Sequence, residues 1–428
     1  MKALAQIIAI LLLFINAVSA QSWNALGQGL NNTVDKIVLY GADDPDDDDL
    51  YVCGHFTNAG GIEDADHIAL WDGTQWHAVA PGLNSTVNAI AFNNDNIYAG
   101  GSFTNAGGNP NANYIAFWDG IQWNALGEGF NHRVLALAFD GSNLYAGGFF
   151  TSTEGHTNYI ARWDGLQWHS LGEGLNQPVN AIVVKGQDVF AGGWFTNAGG
   201  DDNADYIARW DGHKWNAMGN GINDPVISIT LNGDELYVGG SSNNNIAKWN
   251  GIEWSYLPVD ADILSTGISD IAVIDQELYV AGFLSGVLHW DGSQWNTLPD
   301  WIGPKTAITV ALKGNNLYVG GEFELTPQHT NNIALWGTPD LTGKDEPPDH
   351  AACKLNVFPN PALDILHFTL EDDGGRKHSV KILDLTGRMI MNTSTETYEL
   401  NISQLPASVY FLQVNNNGKW LCSKFVKD

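Results

Sequence analysis

Positively charged residues are scarce in this chain of 428 residues. Lysine and arginine together number 19 against 48 aspartates and glutamates, which gives a formal net charge of −29 at pH 7. A phosphate backbone or an anionic lipid surface would be repelled by that charge, so we expect no nucleic-acid partner. Charged residues amount to 16% and apolar residues to 44%, a balance that excludes a disordered protein.

Cysteine is rare too, and this scarcity limits both disulfides and metal chemistry. Three cysteines permit at most one internal disulfide in an exported protein. No group of histidines and cysteines has the spacing of a zinc site, and no Gly-x-Ser-x-Gly elbow of a serine hydrolase occurs. These absences weigh against an enzyme, although they leave open a pair of carboxylates that cleaves glycosides.

Long apolar runs are missing after the N-terminus. An apolar run from Ile7 to Ile15 follows Lys2. Small residues then end at Ala20, which completes the pattern of a secretory signal peptide. No later segment reaches the length of this run, which is itself short for a bilayer. We therefore expect residues 1–20 to be a signal peptide and the mature chain to lack a transmembrane segment.

Tryptophan and glycine, by contrast, are abundant, with 17 and 48 residues, and the tryptophans recur. A unit that reads YIARWDGLQWHSLGEG from Tyr159 and YIARWDGHKWNAMGNG from Tyr206 repeats between residues 21 and 340. Its first tryptophan returns at intervals of 39 to 47 residues, at Trp71, Trp118, Trp163, Trp210, Trp249, Trp290 and Trp336. Its second tryptophan is found at Trp23, Trp76, Trp123, Trp168, Trp215, Trp254 and Trp295.

Each repeat carries four short strand signals. In the fourth repeat they cover residues 179–184, 189–195, 206–210 and 215–218. An Asp-Gly step between the last two predicts a hairpin, so these strands should form an adjacent antiparallel pair. Four strands in about 45 residues have the size of one propeller blade.

The two ends of the repeat array complement each other. Trp23–Leu26 matches only a fourth strand, and Leu335-Trp336 matches only a third. Joining them completes a seventh blade, so we predict an all-β fold with a seven-bladed β-propeller at residues 21–337, closed by an N-terminal outer strand. The paired tryptophans should lie in the core. Trp194 and Trp301 have mostly small or polar counterparts, so they are better candidates for exposed contacts than the paired tryptophans, although simple loop packing is the preferred interpretation.

A glycine doublet after the second strand, with a Tyr…Trp spacing into the third, resembles the kelch and galactose-oxidase-like propellers. The doublets are Gly100-Gly101, Gly147-Gly148, Gly192-Gly193, Gly239-Gly240 and Gly320-Gly321. The resemblance implies the fold and says nothing specific of activity. Copper-radical chemistry of the galactose-oxidase kind requires a tyrosine crosslinked to cysteine, and the propeller's only cysteine, Cys53, falls within a strand signal.

The connections between second and third strands are long in the first four blades, as at residues 57–66 and 196–205. In an up-and-down blade they leave on the same face as the fourth-to-first connections, so we expect a ligand to bind there. Glycans, proteins and a mineral cation are all compatible ligands. The alternatives are an extracellular carbohydrate-active enzyme that uses carboxylates at the same mouth, and a structural surface-layer component. No catalytic residue or organic cofactor is predicted.

One of these long connections has the spacing of the first part of a calcium loop. Asp201, Asn203 and Asp205 alternate along it and could contribute oxygen ligands to a structural Ca²⁺. No glycine and bidentate glutamate follow at the spacing of a complete calcium loop. Asx-turns explain the same composition without a metal.

The composition changes after residue 337. Residues 338–352 are polar and proline-rich, as in a linker. Residues 353–428 contain 8 basic and 8 acidic residues, whereas residues 1–352 contain 11 and 40, and so carry the whole net charge. Seven alternating strand signals in residues 353–428 predict a small β-sandwich.

Three motifs in this C-terminal part, VFPNP, VKILDLTGR and LPASVYF, together with the final KFVK, resemble the type A C-terminal sorting domain of the type IX secretion system. The resemblance implies a Bacteroidota host and export to the cell surface or medium, with the secretion machinery as partner of residues 353–428. Ser408 departs from the glycine usual in the third motif. The resemblance assigns the sorting signal to Pro359, Asn360, Pro361, Asp384, Gly387, Tyr410, Lys424 and Lys427.

The remaining cysteines lie near the two ends of this domain. Cys353 is close to its first strand signal and Cys422 lies in its last. We predict that these two form a disulfide, which leaves Cys53 buried and free.

Overall fold

The structure is a computed structural model that divides into two compact units, Met1–Pro339 and Asp340–Asp428. The first unit is described at residues 22–40, 49–94, 96–151, 158–241, 245–258, 267–282, 286–299, 306–325 and 330–337. The second is described at residues 356–358, 362–369, 378–383, 389–395, 397–406, 408–416 and 419–427. The predicted signal peptide lies outside these ranges, so it stays a prediction. Nowhere in the described part of the chain is there an apolar helix of membrane-spanning length.

Within its described residues, the first unit contains 28 strands and three short 3-10 turns. The strands are β1 (Ser22–Ala25), β2 (Val34–Leu39), β3 (Leu50–Gly54), β4 (Ile68–Trp71), β5 (Trp76–Ala78), β6 (Val87–Asn93), β7 (Asn96–Gly101), β8 (Ile115–Trp118), β9 (Trp123–Ala125), β10 (Val134–Phe139), β11 (Leu144–Gly148), β12 (Ile160–Trp163), β13 (Trp168–His169), β14 (Val179–Lys185), β15 (Asp188–Gly193), β16 (Ile207–Trp210), β17 (Trp215–Asn216), β18 (Val226–Asn232), β19 (Glu235–Gly240), β20 (Asn245–Trp249), β21 (Trp254–Pro258), β22 (Ile268–Ile274), β23 (Glu277–Gly282), β24 (Leu288–Trp290), β25 (Trp295–Thr297), β26 (Thr306–Lys313), β27 (Asn316–Leu325) and β28 (Thr330–Gly337). The 3-10 turns are Ala59–Gly61, Ala106–Gly108 and Ala198–Gly200.

These strands form seven four-stranded antiparallel sheets in a propeller arrangement. Blades 1 to 6 take four consecutive strands each, from β2–β5 to β22–β25, and blade 7 has the order β1-β28-β27-β26. In blade 7, Trp23 pairs with Trp336, so the N-terminal strand supplies the outer strand. The first strands of neighbouring blades contact each other in sequence, and β2 also contacts β26. No ladder pairs a strand of one sheet with a strand of the next in the described chain, so the sheets themselves are not closed and meet through side chains.

The paired tryptophans hold neighbouring blades together. Within a blade the two indoles lie 5.1–5.7 Å apart between ring centroids. The fourth-strand indole also donates a hydrogen bond to a carbonyl of the preceding blade, as from Trp215 Nε1 to Leu171 O at 3.0 Å. Trp23 does the same toward Pro299 O at 2.9 Å, across the junction of blades 6 and 7. Since a buried donor without a partner costs about 1–3 kcal/mol, these bonds fix each blade against its neighbour.

The third and fourth strands form the predicted hairpins, but through a four-residue loop. In blade 1 this loop is residues 72–75, since Trp71 pairs with Trp76. Asp72 Oδ1 accepts hydrogen bonds from the backbone N–H groups of Thr74 and Gln75, both at 2.8 Å. The aspartate therefore acts as an Asx cap inside the loop, where the sequence alone suggested the tighter Asp-Gly turn.

The second unit contains seven strands among its described residues: β29 (Asn356–Phe358), β30 (Ile365–Thr369), β31 (His378–Leu383), β32 (Met389–Thr395), β33 (Glu399–Asn401), β34 (Ser408–Asn416) and β35 (Lys419–Lys427). They form a three-stranded sheet, β29-β30-β33, and a four-stranded sheet, β32-β31-β34-β35. Leu366 and Phe368 of the first sheet share one apolar cluster with Val380 and Leu412 of the second.

Candidate binding site at the propeller axis

The first strand of every blade contains a β-bulge near its start. In blade 1, Val34 pairs with Gly54 and Lys36 with Cys53, so Asp35 is an extra residue without a partner in the ladder. The same shift occurs in the other six blades. The extra residues are Asp35, Asn88, Leu135, Asn180, Ile227, Ser269 and Ile308. Bulges redirect side chains, and here they do so at the same level around the whole ring.

All seven extra residues line one cavity of about 380 Å³, which therefore lies on the propeller axis. Its wall combines polar and apolar groups. Polar groups come from blades 6, 1, 2 and 4, among them Asp270, Lys36, Asn88 and Asn180. Apolar groups come from blades 3, 5 and 7, among them Leu135, Ile227 and Ile308. A cavity with a few fixed polar groups beside an apolar wall is the usual form of a small-ligand site.

One group of polar side chains in the wall is centred on Asp270, a carboxylate that is 4% exposed. Lys36 Nζ lies 2.9 and 3.1 Å from its two oxygens. Thr309 Oγ1 donates to Oδ2 at 2.8 Å and Ser228 Oγ to Oδ1 at 3.2 Å. The backbone N–H of Ile271 also donates to Oδ1, at 3.1 Å. A buried charge that is paired and hydrogen-bonded in this way is compensated, so it holds the Lys36 ammonium at the cavity wall.

A second carboxylate, Asp35, has a different environment. Its burial raises its pKa to about 6, and the nearby His55 and a hydrogen bond from Asn88 only partly oppose that effect. His55 Nε2 lies 3.4 Å from Asp35 Oδ2, and its Nδ1 lies 3.0 Å from Thr86 Oγ1. Asn88 Oδ1 is buried and has no hydrogen-bond partner in the described structure. This group of side chains therefore has capacity left for a ligand.

The cavity lies near the face from which the long connections leave, because its lining residues are close to the starts of the first strands. Asp35 follows a fourth-to-first connection, and His55 directly follows β3 at the start of a second-to-third connection. In blades 2 to 5, the first residue after the second strand occupies the position equivalent to His55. Its backbone N–H donates to the residue before the first strand at 2.8–3.0 Å in blades 1 to 5. These rim residues are His55, Ser102, Phe149, Trp194 and Ser241.

The rim of blades 3 and 4 is aromatic. Trp194 is 46% exposed, and its role as a contact residue stays a prediction. Phe149 precedes it along the rim, with the Arg133 guanidinium 4.0 Å above its ring centroid. Exposed indole and guanidinium groups next to a polar cavity are typical anchors of binding sites. Trp301, the other predicted contact residue, lies outside the described residues.

The long connections around this mouth are held in place in blades 1 to 4. In blade 4, Asn176 Oδ1 accepts from the Thr196 backbone N–H at 3.0 Å, and Asn176 Nδ2 donates to Thr196 Oγ1 at 3.1 Å. The same double contact joins Asn31 to Thr57, Asn84 to Thr104 and Asn131 to Thr151. Each clasp ties a fourth-to-first connection to the second-to-third connection of the next blade, so the loops of the mouth are preorganised.

The three residues of the predicted calcium site have partners within their own loop. Asp201 Oδ1 accepts from the Asn203 backbone N–H at 2.9 Å, an Asx-turn. Asp205 Oδ1 accepts from the Asn197 backbone N–H at 2.8 Å. Among the residues described, no group of three His, Cys, Asp or Glu could hold a metal ion. The calcium site therefore stays a prediction, and the turns account for these side chains.

The predicted sorting residues are only partly described. Tyr410 is buried and donates from its hydroxyl to Pro406 O at 3.0 Å, and Lys427 is 8% exposed. Lys424 pairs with Phe411 in the β34–β35 ladder. Five of these residues lie outside the described ranges, namely Pro359, Asn360, Pro361, Asp384 and Gly387. Cys353 also lies outside them, so its disulfide with Cys422 stays a prediction, whereas Cys53 is buried and free.

Sequence reasoning missed Asp35, Lys36 and Asp270. Each interrupts a strand that is otherwise apolar, at a position where most repeats have a small or neutral residue. A charged residue inside a strand signal was thus the available clue. It did not show that Lys36 and Asp270, which are 234 residues apart, would meet on the axis.

Two family models match parts of the chain. Residues 356–428 match the secretion system C-terminal sorting domain, and residues 69–230 match the Rax2 C-terminal beta propeller domain. The chain therefore carries a sorting domain, which indicates export to the cell surface or secretion, and a β-propeller. The kelch and galactose-oxidase-like character of the repeats is not confirmed. A search of curated proteins finds no match.

Several solved structures are similar at low identity. PorZ, a surface component of the type IX secretion system of Porphyromonas gingivalis, is 15% identical with a TM-score of 0.45, and the match covers 94% of this chain. This chain spans only 60% of that PorZ chain. The WD40 β-propeller domain of Doa1 is 15% identical with a TM-score of 0.49, over 74% of this chain and 97% of that one. The designed protein Ika8 is 12% identical with a TM-score of 0.46, over 93% and 97%.

Proposed function

We propose that the mature protein is an extracellular binding protein, exported by the type IX system, that takes its ligand at the axial cavity. The observation that carries this proposal is the ring of seven bulges, which places Asp35, Lys36 and Asn88 around one opening. The sorting-domain match supports an extracellular location. We also propose that residues 353–428 form a β-sandwich that engages the secretion machinery.

The mixed wall of the cavity favours a ligand with both hydroxyl-rich and apolar surfaces, such as a glycan or a polar peptide. Lys36 and Asn88 can hydrogen-bond hydroxyl or carbonyl groups from one side. Trp194 and Phe149 offer flat apolar surfaces on the rim of the other side. Ring stacking next to hydrogen bonds is how such ligands are held in water.

Arrays of glycans and peptides, probed with the purified whole chain, test this proposal. Trp194→Ala should weaken binding of the captured ligand about 30-fold, as expected for an aromatic anchor worth about 2 kcal/mol. Leu166→Ala is the matched control, because Leu166 is 87% exposed on a third-to-fourth hairpin of the opposite face. Equal binding by both variants, or no captured ligand, would contradict the proposal.

The raised pKa of Asp35 favours an enzyme as a second candidate. A carboxyl that titrates near pH 6 can act as a general acid in glycoside cleavage. New reducing ends on the arrayed glycans, lost in Asp35→Asn and falling as the pH rises above about 6, would support this candidate. Retention of glycans without cleavage would support the binding protein.

A further inference from the structure

Blade 5 lacks a side chain that fills five of the other blades. The second residue after the last glycine of the second-strand motif is a phenylalanine in blades 1, 2, 3, 4 and 7, and it is 0–4% exposed in all of them. These residues are Phe56, Phe103, Phe150, Phe195 and Phe323. In blade 5 the doublet Gly239-Gly240 is followed by Ser241 and Ser242 instead. The sequence of blade 5 thus omits one phenyl ring from a site that surrounds such a ring elsewhere.

The structure has a cavity of about 220 Å³ at the corresponding place in blade 5. Its apolar lining is Ile222, Val226, Val238 and Ala247. In blade 4 the residues at the same repeat positions belong to the cluster that contains Phe195, and they are Leu175, Val179, Ala191 and Ala208. The lining of the blade 5 cavity is therefore the same wall that encloses a phenyl ring in its neighbour.

The remaining lining residues give this cavity a polar edge. Asn223 and Asp224 come from the fourth-to-first connection, and Tyr256 is 49% exposed. Asp224 and the net charge of −29 disfavour an anionic ligand and favour a cationic one. An apolar cavity of about 150 Å³ is already large enough to bind benzene, so the volume here is sufficient for a substituted ring.

We propose that blade 5 holds a second binding site, distinct from the axial cavity, for an aromatic ring that carries a nearby positive charge. The ring takes the place of the missing phenylalanine, and the cationic group lies at the edge formed by Asp224 and Tyr256. A free arylalkylamine and an aromatic side chain beside a lysine or arginine of a partner both have this chemistry. The proposal does not depend on a ligand at the axis.

Calorimetric titration of the whole chain tests the site with phenethylamine, phenylacetate and the peptide acetyl-Phe-Arg-amide. We expect one molecule of phenethylamine to bind per chain, and phenylacetate to bind about tenfold more weakly because of its charge. Tighter binding of the peptide than of phenethylamine would identify a partner side chain as the source of the ring, and the reverse order a free amine.

A variant that fills the cavity makes the test specific. Ala247→Leu adds volume from the wall, so it should abolish binding of phenethylamine and leave the chain folded by circular dichroism. Trp194→Ala, at the axial mouth, should bind it like the unaltered chain. Absence of phenethylamine binding at millimolar concentration would overturn the proposal. So would unchanged binding by folded Ala247→Leu.

Discussion

Blades 4 and 5 are neighbours in the propeller with the same four strands, yet their interiors are covered differently. In blade 4 the second-to-third connection contains Phe195 and the 3-10 turn Ala198–Gly200, and Trp210 and Trp215 beneath it are 9% and 5% exposed. In blade 5 the connection spans only residues 241–244, and Trp249 and Trp254 are half-buried. The comparison teaches that the long loops with a 3-10 turn, in blades 1, 2 and 4, also cover the fourth-strand tryptophan, which is 3–5% exposed in those blades.

The covering loop fits its blade closely. Asn197 and Gly199 have positive φ angles of 53° and 65°. A Cβ on Gly199 would lie 3.0 Å from Trp215 Cβ, so the loop backbone rests directly on the indole. A change in such a loop is therefore expected to alter the stability of the blade below it.

The largest effect that separates the two blades is expected from Phe195→Ala. It removes a fully buried ring from blade 4, and should lower the free energy of unfolding by about 3–5 kcal/mol. Urea denaturation followed by tryptophan fluorescence measures this loss. Trp194→Ala, next to it in sequence but exposed, should change stability by only about 0.5 kcal/mol. A loss below about 1 kcal/mol for Phe195→Ala would show that the covers contribute little.

A smaller difference is expected from the second glycine of each doublet. A Cβ on Gly193 would lie 2.2 Å from Pro178 O, whereas on Gly240 the nearest atom, Pro225 O, is 3.4 Å away. Gly193→Ala forces a backbone shift and should cost about 1–3 kcal/mol, while Gly240→Ala should change stability by about 0.5 kcal/mol or less. Thermal unfolding of the two variants in parallel gives the difference, and equal melting temperatures would contradict this account of blade 5.

Much of this architecture could be predicted from the sequence because it depends on local periodicity. The recurrence of Trp163 and Trp168, five residues apart across a hairpin, identified the third and fourth strands of a blade. The pairing of Trp23 with Trp336 followed from the incomplete repeats at each end. The sequence also contains a sign of the cavity in blade 5, because Ser241-Ser242 stands where blade 4 has Trp194-Phe195. To recognise this sign, one has to know which side chains are buried in the other repeats.

The network at the axis could not be predicted in the same way. Contacts such as Lys36 to Asp270 join strands of blades that are not adjacent in the chain, so no local pattern links them. The sequence also gave no measure of how far burial would raise the pKa of Asp35. The contact between Lys36 and Asp270 and the raised pKa of Asp35 both depend on how the seven sheets meet at the axis. The periodicity within one repeat does not describe that arrangement.

The smallest predicted difference concerns the hairpin loops of blades 4 and 5 at low pH. Asp211 Oδ1 accepts from the backbone N–H groups of His213 and Lys214, both at 2.9 Å, and Asn250 Oδ1 does the same for Ile252 and Glu253. Hydrogen bonds hold the pKa of Asp211 well below its usual 3.8, the largest contribution coming from the Lys214 N–H, followed by Asn216 and the His213 N–H. Asn250, at the same place in blade 5, does not titrate.

A carboxyl whose pKa is depressed by folding stabilises the folded state above the unfolded pKa and loses that contribution as the pH falls. The blade 4 loop should therefore weaken below about pH 4, while the blade 5 loop should not. Asp211→Asn should unfold at a slightly lower pH than the unaltered chain in an acid titration followed by circular dichroism, with little change at pH 7. Asn250→Asp should shift the midpoint the opposite way. If neither substitution moves the acid midpoint, the hydrogen bonds of these loops do not contribute to its position.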